Sequence, residues 1–306
     1  MKFLCASCCL ALLLFLDGSF TRVLADAAIF NTPEMAIEAL AQAAASKDKQ
    51  KLLSIFGNDG EELLESGDDI ADENALAMFS GRYDERHVVE KQAEKVRLFL
   101  GMEEWPFPIP LAKGENGWYF DSAQGREEVL DRRIGRDELI AINVCRAYVD
   151  AQKAYFEQPL TEDGRKSYAL KFISDRGRKN GLFWPRKPNE KASPLGAVAA
   201  KVFSEGYGER LSERPAPYAG YVFRIIRAQG PSASGGRMSY LDKEGRMMNG
   251  FALFAYPVKW GNSGVMSFLV NQDGVVYQKN LGAGTAKIAL SVKEYDPDSS
   301  WEQVSE

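Results

Sequence analysis

The chain has 306 residues, 38 of them Lys or Arg and 43 Asp or Glu, for a formal net charge of −5. That balance argues against nucleic acid as a partner, because such binding is driven by clustered cations releasing counterions from phosphates, and it gives no support to an anionic membrane surface. A hydrophobic content of 45% is that of a packed globular protein and excludes a disordered one.

The chain opens with Met1 and Lys2, followed by an apolar run from Phe3 to Leu16 that ends at Asp17 and Gly18. Such a run is too short for an ordinary membrane-crossing helix, which needs about 20 residues, and it matches the core of a secretory signal. Val23-Leu24-Ala25 supplies small residues before a cut, so cleavage is expected after Ala25, with Asp26 as the mature start and residues 1–25 removed. Cys5, Cys8 and Cys9 leave with this leader and act there as apolar filler. Only Cys145 remains, so no internal disulfide forms in the mature chain. A large exported chain without disulfides suits a bacterial periplasm, and no membrane span is expected after cleavage.

In chain order, Asn31-Thr32-Pro33-Glu34 predicts a helix start, with Thr32 as cap and Pro33 in the first turn. Met35, Ala36, Ala39, Leu40 and Ala43 form its inward face. A second helix is predicted over Lys49–Phe56, and further helix over 61–83 with a break at Ser66-Gly67-Asp68-Asp69, burying Ala75, Leu76, Met78 and Phe79. The period then shifts to two: Val96, Leu98 and Leu100 alternate as in a half-buried strand. Three prolines keep Trp105–Pro110 extended, and Asn116-Gly117 turns a hairpin into Trp118-Tyr119-Phe120. Two helices are expected next, 124–134 and 137–156, separated at Gly135, the second with Leu139, Ile142, Cys145, Val149 and Phe156 on its apolar stripe. Residues 159–217 are rich in Pro and Gly and read as a connecting region with a short helix near 195–203. From Tyr218 the pattern is β: four or five strands in an antiparallel meander, then a covering helix over 285–292. The fold class is therefore α+β. N-terminal helices pack on a small antiparallel sheet over residues 26–158, and an antiparallel β-sheet domain occupies 218–306.

No complete catalytic constellation is present. His87 is the only histidine, no G-x-S-x-G elbow exists, and imidazole- or thiolate-based metal sites are excluded. Neither metal nor cofactor is expected. Gly282-Ala283-Gly284-Thr285 resembles a dinucleotide fingerprint, but Lys287 stands where its third glycine belongs, so a helix start capped by Thr285 is expected. Two places are candidate ligand sites. The charged stretch from Asp121 to Glu138 offers Asp121, Arg132, Arg133 and Arg136, the arginines able to fork a carboxylate or phosphate. The loop of Gln229, Gly230, Gly235, Gly236 and Arg237 lies between strands, where binding residues concentrate.

Several phrases together are specific: Trp105-Pro-Phe-Pro-Ile-Pro-Leu111, Trp118-Tyr-Phe-Asp121, Arg132-Arg-Ile-Gly-Arg-Asp-Glu-Leu139, Ala151-Gln152, Ser193-Pro-Leu-Gly196, Gly220-Tyr-Val-Phe-Arg224, Gln229-Gly230, Gly250-Phe-Ala-Leu253, Gly264-Val-Met266 and Val276-Tyr277. The chain resembles a bacterial exported family catalogued as domain of unknown function 2950. The resemblance implies a Gram-negative envelope protein and carries no activity and no catalytic residues. Three functional readings follow. The first is a non-enzymatic periplasmic protein that binds an envelope partner or supports envelope assembly. The second is a small-ligand binder whose first-half cup grips an anion through Arg132, Arg133 or Arg136. The third is a cell-wall or carbohydrate hydrolase using an Asp/Glu pair.

Overall fold

The protein is described from a computed structural model covering residues 27–158, 164–208 and 217–305. The expected leader, its cleavage point and its three cysteines lie outside the described residues, as do parts of the connecting region. No helix among the described residues is long and apolar enough to cross a membrane.

Helix α1 (Pro33–Ala45) starts as its sequence dictates, with the Thr32 side chain accepting from the Met35 N–H at 3.2 Å. It buries Ala36, Ile37, Leu40 and Ala43, whereas Met35 is half exposed at the first turn. Helix α2 (Lys49–Phe56) is capped by Asp48 and buries Leu52, Ile55 and Phe56. Helices α3 (Gly60–Leu64) and α4 (Asp69–Glu85) follow, with Asp68 capping α4 through the Ala71 N–H. The expectation for α4 was wrong in detail: none of its residues is buried, Ala75 and Met78 are exposed, and only Leu76 and Phe79 are partly covered.

Strands β1 (His87–Gln92), β2 (Lys95–Leu100), β3 (Trp105–Pro106), β4 (Leu111–Gly114) and β5 (Gly117–Phe120) form one antiparallel sheet, ordered β1-β2-β4-β5 with β3 on β2. Val96, Leu98 and Leu100 point from β2 into a core shared with α1 and α2, as the alternation predicts.

The next helix departs from expectation. Residues 124–134 and 137–156 belong to one 35-residue helix, α5 (Ser122–Phe156), about 50 Å long at 1.5 Å per residue. Gly135 lies inside it with open space around it. A glycine costs about 1 kcal/mol in a helix, which packing along both ends of α5 outweighs. Val129 packs on the N-terminal core, and Ala141, Cys145, Tyr148 and Val149 belong to the C-terminal one. Leu139, assigned to the apolar stripe, is exposed because it points to the side of α5 opposite the buried Asp137 and Ala141.

After α5 the chain runs back over the second core. Gln152, fully buried on α5, donates Nε2 to the Ala169 carbonyl at 2.9 Å and accepts from the Ala169 N–H at 2.8 Å, so its amide pairs this segment as a strand would. Leu182 and Trp184 are buried beside it, and α6 (Gly196–Ser204) follows. The C-terminal part begins with β6 (Pro217–Tyr218) and β7 (Tyr221–Ile226), then a small ribbon of β8 (Ala228–Gln229) and β9 (Met238–Ser239). Strands β10 (Ala252–Pro257), β11 (Met266–Asn271) and β12 (Val276–Asn280) precede α7 (Thr285–Ser291) and β13 (Glu302–Gln303). The large sheet runs β13-β12-β11-β10-β7-β6, every pair antiparallel. Thr285 does not cap α7: it is the first helical residue, and its hydroxyl donates back to the Gly282 carbonyl at 2.6 Å.

Candidate functional site: a roofed cavity with a cationic lining

A cavity of about 740 Å³ lies in the first half, between α4, the α1–α2 pair, β2–β3 and α5. Its floor is the N-terminal core, where the lining includes the buried Leu52, Phe56, Leu63 and Leu100. Its roof is α4, which presents Leu76 and Phe79 to it. This explains why α4 buries nothing. The helix touches the N-terminal core only through partly covered side chains, Leu76, Phe79 and Tyr83, with Phe79 edge-on to Phe107 at 5.4 Å, and it is tied at both ends. At one end Asp68 caps it, the Ser66 N–H donates to both carboxylate oxygens of Asp72 at 3.1 Å, and Lys47 pairs with Glu73 at 2.6 Å. At the other, the Arg82 and Arg86 carbonyls accept from the Gly101 N–H, and Arg86 pairs with Glu104 at 2.8 Å.

Seven basic and four acidic side chains line the cavity, the reverse of the chain's overall excess of acids. Arg82 and Arg132 both lie against the Trp105 ring, 5.4 and 4.8 Å from its centre. Such cation–π contacts add about 0.5–1 kcal/mol each at exposed sites. Arg132 is further engaged, donating Nε to Glu128 at 2.5 Å and Nη1 to the Pro106 carbonyl at 2.9 Å. Arg82 has no carboxylate partner among the described residues. At the surface of the lining, Lys49 pairs with Glu65 at 2.7 Å and Lys259 donates to the Glu65 carbonyl at 3.2 Å.

The three arginines expected to act as one fork therefore separate. All line the cavity, but each sits differently. Arg133 is a structural strut. Its Nη1 donates to the Glu62 carbonyl at 3.2 Å and to Asn262 Oδ1 at 2.5 Å, and its Nη2 donates to the Leu63 carbonyl. Burial pushes its guanidinium below the ordinary value, opposed by Asp72 and Asp137. Arg136 donates Nε to Asp137 at 2.9 Å and leaves its side chain 46% exposed. Asp121 caps α5 through the Gln124 N–H at 3.0 Å and lies outside the cavity lining.

Beneath this lining is a group of buried acids that sequence reasoning missed. Asp68 accepts from the Tyr207 hydroxyl at 2.8 Å and the Gly220 N–H at 3.0 Å. Asp137 has one oxygen on Arg136 and the other buried without a donor, and burial raises its carboxyl to about 6. Gly220 must be glycine: its φ is +72°, and a Cβ there would meet Ser263 Cβ at 2.7 Å and Asp137 Oδ2 at 3.0 Å. Cys145 is fully buried, and burial pushes its thiol up to about 12, leaving it protonated at neutral pH.

The second sequence candidate, the loop after β8, is organised from within. Gln229 is fully buried. Its Nε2 donates to the Ser234 and Gly236 carbonyls, each at 2.7 Å, and its Oε1 accepts from Tyr240 at 3.1 Å. Gly230 packs on Asp296, Gly235 and Gly236 take left-handed φ, and Arg237 pairs with Glu294 at 3.2 Å. These five residues close a turn outside the cavity lining and are not brought into it with the arginines of α5.

The model of the family described as "Protein of unknown function (DUF2950)" matches residues 27–304, nearly all of the described chain. The chain belongs to this family. No curated protein and no solved structure matches it. The cavity of this DUF2950 chain lies within the matched residues and is lined by Trp105, Phe107, Ile109, Arg132, Arg133 and Arg136.

Proposed function

We propose that this DUF2950 protein is an exported binding protein whose first-half cavity takes an amphipathic anion, such as a long-chain carboxylate. The carrying observation is the pairing of an apolar interior with a cationic lining under a helix that buries none of its own residues. The volume lies in the range of small-molecule sites, about 300–1,000 Å³, which are mostly apolar with a few fixed polar groups. An alkyl chain lying under Leu76 and Phe79 would remove their apolar surface from water, worth about 25 cal/mol per Å². The head group would meet Arg82 beside Trp105 or Arg136 beside Asp137, the cations least committed within the chain.

Hydrolysis is less well supported by this geometry. Asp68 is taken up by Tyr207 and Gly220, Asp137 faces the packed junction of α5 with the sheet, and Asp72 is held by Ser66. Export rests on the short apolar leader and the small residues before Asp26; the N-terminus of protein recovered from periplasm should be Asp26.

The test uses cis-parinaric acid, a fluorescent fatty acid, and its uncharged methyl ester. The acid should bind with one-to-one stoichiometry and at least tenfold more tightly than the ester. A variant carrying both Arg82→Ala and Arg136→Ala should lose about tenfold in affinity for the acid alone, or about 1.4 kcal/mol. Equal affinity for acid and ester, or no uptake by a chain with native circular dichroism, would refute the reading.

A further inference from the structure

A second cavity, of about 520 Å³, lies in the other half between α6, β7 and residues 170–183. Rings make up a large part of its walls, from Tyr148, Phe172, Phe183, Tyr207, Tyr218, Phe223 and Tyr256, set among aliphatic side chains such as Ile173 and Val198. Its charged lining is Lys171, Arg224 and Arg227, without a single carboxylate, in a chain whose acids outnumber its bases. Lys171 is paired with Asp175 at 2.8 Å. Arg224 donates Nη2 to the Ala289 carbonyl at 2.8 Å and to the Val292 carbonyl, yet its Nε is buried without an acceptor. Arg227 is exposed and has no side-chain partner among the described residues.

We propose that this cavity is a second ligand site, built for a planar aromatic anion such as an aromatic carboxylate or sulfonate. Ring walls favour a flat π-system, because offset-stacked and edge-on contacts add about 0.5–1.5 kcal/mol per pair beyond the area they bury. Arg224 is held by the Ala289 and Val292 carbonyls, so it adds positive charge to the wall, and Arg227 is the cation left free to take the acid group. Lining charges of one sign, of which only Lys171 has a carboxylate partner, select against cations and leave Arg227 to meet the acid group. An inorganic anion would use the charges and leave the rings wet, whereas an uncharged arene would use the rings and leave Arg227 without an acid group to meet.

Calorimetry on the full chain with naphthoate as the probe tests the assignment. One equivalent should bind, and naphthalenemethanol, of the same shape and uncharged, should bind at least tenfold more weakly. Val198 lies on α6 in the lining, so Val198→Trp should fill the cavity and abolish naphthoate binding. It should leave the affinity for cis-parinaric acid unchanged where that site is intact. Arg227→Glu, at an exposed position that leaves folding intact, should weaken naphthoate by at least tenfold whatever the fate of the α6 variant. No heat of binding with naphthoate, equal binding of the alcohol, or naphthoate affinity unmoved by Arg227→Glu would each overturn the proposal. None of these outcomes bears on the first cavity, so the two readings fail separately.

Discussion

Asp137 is 1% exposed on α5, with Arg136 on one oxygen and nothing on the other, and its neighbours Arg133 and Asp68 pull in opposite directions. Burial dominates and lifts the carboxyl from 3.8 to about 6. Between these values the folded chain holds a proton that the unfolded chain has released. Stability from this residue is therefore present below about pH 4 and lost as pH rises through about 6, by on the order of 3 kcal/mol in total. Asp72, raised by burial as well, acts in the same direction. Urea unfolding from pH 4 to pH 7 should show this falling contribution in the natural chain and a flatter profile in Asp137→Asn; identical profiles would rule it out. Nothing in the sequence separates Asp137 from its charged neighbours in the Asp121–Glu138 run. Its environment comes from Gly220 and Ser263, which only the fold brings to it.

At the scale of the element, α5 contains two glycines with opposite consequences. Gly125 lies against β3's continuation, where an added Cβ would meet Ile109 Cα at 2.7 Å and the Pro108 carbonyl at 2.9 Å. Gly135 faces open space. Gly135→Ala should raise stability by about 0.5–1 kcal/mol, the ordinary helix-interior difference. Gly125→Ala should lower it by about 1–3 kcal/mol, as overpacking does. Thermal unfolding of both variants measures the contrast, and a destabilised Gly135→Ala would mean that α5 is kinked there. The same element shows where local reading stops. Thr32, the Lys49–Phe56 helix and the alternation of Val96, Leu98 and Leu100 were legible because caps and short-range periodicity dictate them. The continuity of α5 was not, because the contacts that outweigh one glycine come from two cores distant in sequence.

At the scale of the whole molecule, α5 lines both cavities, with Val129, Arg132, Arg133 and Arg136 at the first and Val144 and Tyr148 at the second. A second link runs through Tyr207, which lines the ring-walled cavity while its hydroxyl holds Asp68, the cap of the helix that roofs the other. Tyr207→Phe removes that hydrogen bond from a buried carboxylate, a loss of about 1–3 kcal/mol. Amide hydrogen exchange at Ala71 and Asp72 should then speed up by about tenfold or more, while α1 is unchanged. Unaltered exchange at those amides would show that Tyr207 does not support the roof. By itself the sequence determined the α+β class, most helix and strand positions, the buried Cys145 and the family, because caps, turns and hydrophobic periods act over a few residues. Tertiary structure alone decided that Arg82 joins Arg132 at Trp105, that Arg133 is a strut and that Asp68 meets Tyr207 across 139 residues. Such pairings depend on where distant segments pack, and charge or polarity in a linear run does not encode which neighbour will desolvate or satisfy it.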